Sequence, residues 1–140
     1  MLITNHVLSG ALVGSAAPGP VSAFAAGIAS HFLLDTVPHW GDEATFLQVA
    51  VVDGLVGLAT MGTIARVVPR ARRARVVAGM LGACLPDADK PSELFFGRSP
   101  YPVQVDDWHK RIQRESPRRM PQEFIVASMA ALVLRRVLRA

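Results

Sequence analysis

Between Ala44 and Val68 the chain carries one long apolar run, interrupted before Arg66 near its end only by Gln48 and Asp53. It reaches the roughly 20 residues that a helix needs to cross a bilayer, and no other segment does. Four shorter apolar segments accompany it. His6 to Ala17 stops at the turn Pro18-Gly19-Pro20. Val21 to about Thr36 stops before Pro38, because a residue preceding proline disfavours helix. Val76 to Leu85 leads into Pro86-Asp87. Phe124 to Leu138 follows Pro121, a favoured first-turn residue, with Glu123 placed well for the helix dipole. The four short segments fit tilted or re-entrant membrane helices, or the core helices of a soluble bundle.

Composition bears on that choice. The 140 residues suffice for one domain, 51% are hydrophobic, and the mean hydropathy is +0.31, high for a soluble domain of this size. Only 6% are aromatic, so the apolar content is mostly Ala, Val and Leu among many glycines, a mixture suited to close helix packing in lipid. No segment alternates apolar and polar residues over a useful length, so strands are not expected. The net charge of +4 comes from clustered arginines: Arg66, Arg70, Arg72, Arg73 and Arg75, then Arg135, Arg136 and Arg139. Such clusters can bind nucleic acid, but beside apolar segments they more often flank a membrane. The single Cys84 excludes an internal disulfide and a cysteine-based zinc ribbon. The start, MLITNHVLSG, has no basic n-region, so no cleavable signal peptide is expected.

If successive apolar segments cross, or dip and return, in alternating directions, the polar residues sort themselves. One end of the bundle receives His6, His31, Asp35, His39, Asp53, Asp87 and His109, with Glu123. The other receives the two arginine clusters. By the positive-inside rule, the eight arginines in short segments lean that second end toward the cytoplasm.

His31 and Asp35 are four residues apart and share one helical face, and His39 follows just past Pro38. A His-x3-Asp-x3-His run offers imidazole and carboxylate ligands of the kind that bind zinc, manganese or iron. It is not the His-Glu-x-x-His pattern of a zinc protease. Simpler roles stand beside these. His31 can be a hydrogen-bonded core residue, His39 a cation at a helix end, and Asp87 a cap or turn residue. Asp53, inside a long apolar helix, needs a function or a buried partner. Asp89, Asp106 and Asp107 read as solvated loop charges, and Trp40 and Trp108 as interfacial anchors. The polar stretch from about 87 to 120 reads as a loop with one short helix.

The segments TNHVLSGALVG, SHFLLDTVPHWGD and WHKRIQRESP, with Pro86-Asp87, resemble the YdjM-like inner-membrane proteins of bacteria, a group with a metal-dependent hydrolase label. The chain departs from their pattern at Arg118-Arg119. A fainter similarity, over a few residues, is to the all-helical zinc-dependent phospholipase C and nuclease fold. The first resemblance implies a bacterial inner-membrane protein and a polar signature of His6, His31, Asp35, His39, Asp87 and His109.

The resulting expectation is an all-α fold: one membrane-embedded bundle of about five helices, some short or re-entrant, over residues 1–140. The six signature residues would hold a divalent metal, zinc first, with manganese or iron as alternatives. Asp53 or Glu115 would orient water or act as general base in hydrolysis of an ester or phosphodiester, with membrane lipid as partner and no nucleic acid. The competing readings are a non-enzymatic membrane protein with a structural metal or a buried His/Asp network, and a soluble basic helical domain that binds nucleic acid through its arginine clusters.

Overall fold

The computed structural model describes residues 1–139. The chain's described residues are predominantly helical, with no strand among them. Its α-helices are α1 (Ile3–Ala16), α2 (Pro20–Asp35), α3 (Phe46–Val67), α4 (Arg70–Cys84), α5 (Asp89–Phe96), α6 (Val103–Ile112) and α7 (Met120–Arg139). Single 3-10 turns, Leu85–Ala88 and Pro117–Arg119, lead into α5 and α7. The five long helices correspond to the five apolar segments. The stretch 87–120 is more ordered than expected, holding two short α-helices rather than one. Pro91 fits the first turn of α5, where its missing N–H costs nothing, and Gly97 (φ +70°) ends that helix in the left-handed region. α4 also begins earlier than its apolar segment, at Arg70, because arginine is a good helix former and Pro69 sets the start.

α4 is the central helix, packed against both α1 and α2. Small residues permit this. A Cβ on Gly79 would stand 2.9 Å from Cα of Gly14 on α1, and one on Gly82 would stand 2.9 Å from the Phe24 carbonyl carbon on α2. Backbones this close gain dispersion contacts without large side chains, as in lipid-facing bundles. The apolar core is correspondingly small: Val7, Leu8, Ala11, Ile64, Val68, Val76, Met80 and Leu134.

Much apolar surface is left outside. α3 has 22 residues and is long and apolar enough to cross a membrane, yet its buried residues are only Asp53, Gly57 and Ile64. Leu47, Val51, Val52, Leu55, Val56 and Leu58 all face outward. α7 likewise exposes Phe124, Ile125, Met129, Leu132 and Val133. Exposed apolar faces of this extent on a water-soluble monomer would be unusual.

The two ends of the bundle differ as the alternating directions predict. At one end, arginines serve helix C-termini: Arg75 Nη1 donates to the Ala17 carbonyl (2.7 Å) and Arg72 Nη1 to that of Val137 (3.1 Å). Cations are favoured there by the helix dipole. At the other end polar side chains of α1, α2, α6 and the turn after α4 meet.

Candidate metal centre

The centre is assembled from the start of α1 (His6), the last turns of α2 (His31, Asp35), the 3-10 turn after α4 (Asp87) and α6 (His109). Two overlapping sets bring their ligand atoms close enough to share an ion: His6, His31 and Asp87, and His31, Asp35 and His109. His6, His31 and Asp35 are fully buried, and His109 is 4% exposed.

The hydrogen bonds dictate where lone pairs point. His31 Nδ1 lies 2.7 Å from the Ala83 carbonyl oxygen. A carbonyl only accepts, so Nδ1 carries the proton and, in the neutral ring, Nε2 presents a bare lone pair. That Nε2 is 3.1 Å from His109 Nε2 and 3.1 Å from Asp35 Oδ2, which itself is 2.9 Å from His109 Nε2. Gln113, one turn beyond His109, donates its amide to Asp35 Oδ2 at 3.3 Å. These three atoms thus form a triangle in which only His31 Nε2 is fixed as a bare lone pair by its other nitrogen's hydrogen bond. Bonds of about 2.0–2.1 Å to a tetrahedral or octahedral ion place ligand atoms about 2.9–3.4 Å apart. The triangle has the dimensions of a ligand set, and a backbone carbonyl orienting the other imidazole nitrogen is the usual second partner of a metal-binding histidine.

His6 adds to the same imbalance. Its ring stacks on His31, with centroids 3.9 Å apart, and its Nε2 is 3.3 Å from Asp35 Oδ1. Yet neither His6 nitrogen has a hydrogen-bond partner, and neither does the buried Asp87 Oδ1. Buried polar atoms without partners are costly, and the side chains gathered here could hold a metal ion. Two protein cations reach its edge: the Met1 amino group, 3.0 Å from Asp35 Oδ1, and Lys90 Nζ, 3.6 Å from Asp87 Oδ1. Burial opposes ionisation of Asp87, but the charges of His6, Lys90 and His31 outweigh it and hold the carboxyl below its ordinary value. Burial likewise opposes the charge on Lys90, and Asp87 and Asp89 overcome it.

The remaining expected site residues lie apart from the triangle. His39 turns away because Pro38 ends the helical path. Its backbone pairs with Arg114 and Ser116, its Nδ1 donates to the Val37 carbonyl (2.8 Å), and its buried Nε2 faces Glu115 Oε1 at 3.8 Å. It belongs to neither ligand set. Glu115 is half exposed, and the His39 imidazole beside it holds its carboxyl below the usual value. Asp53 has a different occupation: it accepts the Ile3 N–H, and the Thr4 hydroxyl at 2.6 Å, at the start of α1. That is the buried partner an acid in an apolar helix requires.

Other residues differ from their sequence reading. Glu123, expected to complement a helix dipole, is buried and accepts from Leu2 N–H (3.1 Å), Asn5 Nδ2 (2.7 Å) and Trp40 N–H (3.0 Å). Trp40 is 6% exposed, so it is a core residue rather than an interfacial anchor. Asp89 is buried beside Lys90 (3.3 Å) rather than solvated. Gln113 was not foreseen, although its place one helical turn after His109 is a visible signal. Met1, His39 and Glu123 line a surface cleft of about 240 Å³, so the Met1 amino group stands between this cleft and Asp35.

Comparison with family models, with curated proteins and with solved structures finds no match to this chain.

Proposed function

We propose that this chain is a membrane-embedded, divalent-metal-dependent hydrolase of an ester or phosphodiester, lipid-derived, in the bacterial inner membrane. One observation carries the reading: the Nε2 atoms of His31 and His109 and Asp35 Oδ2 converge within 3.1 Å, with His31 oriented by a carbonyl and His6 unpartnered alongside. Three imidazoles and two carboxylates suit zinc first, with manganese or iron as alternatives. Such an ion supplies Lewis acidity and makes a hydroxide nucleophile available near neutral pH. His6, His31, Asp35, Asp87 and His109 would hold it, and Gln113 would fix the Asp35 carboxylate. Of the two carboxylates considered for proton transfer, Asp53 is engaged at the start of α1, and Glu115, free of backbone donors and open to solvent, would have to reach the centre from its place beside His39. The outward faces of α3 and α7 support residence in lipid, and the YdjM-like segments are consistent with it.

A second reading is a structural metal in a non-enzymatic membrane protein. The complete burial of His6, His31 and Asp35 favours it, since structural sites are closed while catalytic ones keep an open position.

The test is metal content by mass spectrometry on detergent-purified protein, wild type against His31→Ala/Asp35→Ala. Near-stoichiometric zinc, manganese or iron that disappears in the double variant is the expected result. No metal in either protein, even after reloading, removes the hydrolase. Turnover in lipid extracts, lost in His31→Ala, then separates enzyme from structural site: metal without turnover leaves the second reading.

A further inference from the structure

The α5–α6 segment exposes apolar residues of a kind unlike those on α3 and α7. Leu94, Phe95 and Phe96 follow one another at the end of α5 and are 55%, 75% and 79% exposed. Three consecutive residues cover more than half the helix circumference, so no single packing face explains them. Val103, Val105 and Trp108 on α6 are also exposed. The patch is held in place rather than loose. Ser92 Oγ donates to the Arg98 carbonyl across the turn at 2.8 Å, and the Tyr101 hydroxyl donates to the Leu85 carbonyl at the end of α4.

In the same segment exposed cations outnumber the exposed carboxylates Glu93 and Asp107. Arg98, Lys110, Arg111 and Arg114 are exposed, and none has a salt-bridge partner among the described residues. Lys110 and Arg111, with Gln104 and Asp107, line a shallow surface cleft of about 440 Å³ in which two cations face one carboxylate. A largely aliphatic face, as on α3 beyond Phe46, suits the hydrocarbon core. Aromatic rings interleaved with unpaired cations suit the headgroup layer, where rings sit at the acyl boundary and cations meet lipid phosphates. Arginine in the hydrocarbon itself is disfavoured.

The position also matters. Trp108 precedes His109 of the centre, and its ring stacks edge-on against Phe32 of α2 (centroids 4.7 Å), which touches both His31 and His109 rings. A surface that grips headgroups through α6 therefore abuts the metal centre directly.

We propose that α5 and α6 form an interfacial hairpin that docks the metal-centre end of the bundle on the anionic headgroups of a phospholipid bilayer. Resting on the hydrolase reading, this makes a phosphate-bearing lipid the substrate class. The occupant is the bilayer surface rather than a second copy of the chain, because unpaired cations around the patch would repel their counterparts across a two-fold contact.

The test uses the full chain with Trp40→Phe, leaving Trp108 as the only tryptophan, in nanodiscs of phosphatidylcholine alone or with phosphatidylglycerol. Brominated lipids report contact by quenching Trp108 fluorescence. The expected result is quenching by shallowly brominated lipid, stronger with phosphatidylglycerol. Phe95→Ser/Phe96→Ser should reduce it, and Arg98→Gln/Lys110→Gln/Arg111→Gln should remove the phosphatidylglycerol dependence, each neutralised cation weakening contact about fivefold. Bound metal, measured on every variant, verifies that the centre is intact. Trp108 quenched by aqueous acrylamide but not by lipid overturns the docking. Quenching indifferent to phosphatidylglycerol and to the cations overturns the anionic specificity, and a cross-linked dimer that shields Trp108 assigns the patch to a second copy. If wild type holds no metal while Trp108 still contacts anionic lipid, the hydrolase fails and the docking stands.

Discussion

Asp53, Glu123 and Asp35 are all buried carboxylates at the same end of one bundle, and their partners differ in kind. Asp53 and Glu123 accept from backbone and side-chain N–H and O–H groups of Leu2, Ile3, Thr4, Asn5 and Trp40. They cap α1 from neighbouring helices, satisfying orphan N–H groups that no local side chain reaches. Asp35 instead faces two imidazole nitrogens, the Met1 amino group and the Gln113 amide, beside His6 and Asp87 atoms that make no hydrogen bond. The first pair is complete within the protein. The second cluster is short of hydrogen-bond donors, and that shortage, rather than burial or residue type, makes it a group that could hold a cation.

The comparison breaks most directly at Asp35. His31→Ala/Asp35→Ala should lower metal affinity by on the order of a hundredfold or more, since two ligands go at once. Retention of full metal content would place the ion elsewhere. Glu123→Ala should do the reverse. It strands the Leu2, Asn5 and Trp40 donors and should cost about 3 kcal/mol of stability, at about 1 kcal/mol or more per unsatisfied buried donor. Thermal unfolding in detergent measures this, and the folded fraction should still bind metal. Metal loss without destabilisation would move Glu123 into the centre.

Smaller effects sharpen the boundary. Gln113→Ala should weaken metal binding about tenfold, as expected when an outer partner of a ligand is removed, with little change in unfolding temperature. Asp53→Asn keeps an acceptor for α1 but loses its charge, and should cost about 1 kcal/mol with metal content unchanged.

The smallest effect concerns pH. The Glu115 carboxyl lies below its ordinary value because of His39. Its contribution to stability is therefore present above the ordinary value of 4.5 and fades as pH falls through the lowered one. His39→Gln should flatten that acid limb of the unfolding profile, and an unchanged limb would show that the pair is not coupled.

Much of the fold was legible because its signals are local. Prolines 18, 20, 38 and 86 bracket apolar runs, and the helices stop where those prolines require. The His31–Asp35 spacing placed both side chains on one face, and the alternation of short helices brought His6, Asp87 and His109 to them. His39 was misleading for a local reason with a distant consequence. The residue past Pro38 leaves the helical path, and a short backbone pairing with Arg114 and Ser116, far along the chain, holds it beside Glu115. The two helices within 87–120 were obscured by charge, since their stability rests on Tyr101, Asp89 and Lys90 meeting the end of α4 and its turn.

What the amino-acid order determines by itself is periodicity and direction: where helices begin and stop, which residues share a face, and which ends lie together. Those properties depend on neighbours within a few residues. Only the tertiary structure separates a carboxylate that caps another helix from one gathered among imidazoles that could hold a cation with it. That distinction depends on which donors arrive from elsewhere, on the Ala83 carbonyl that fixes the His31 proton, and on Leu2 and Trp40, whose N–H groups complete Glu123. Those partners lie tens of residues away in sequence, and buried hydrogen bonds form between whatever groups the packing brings together.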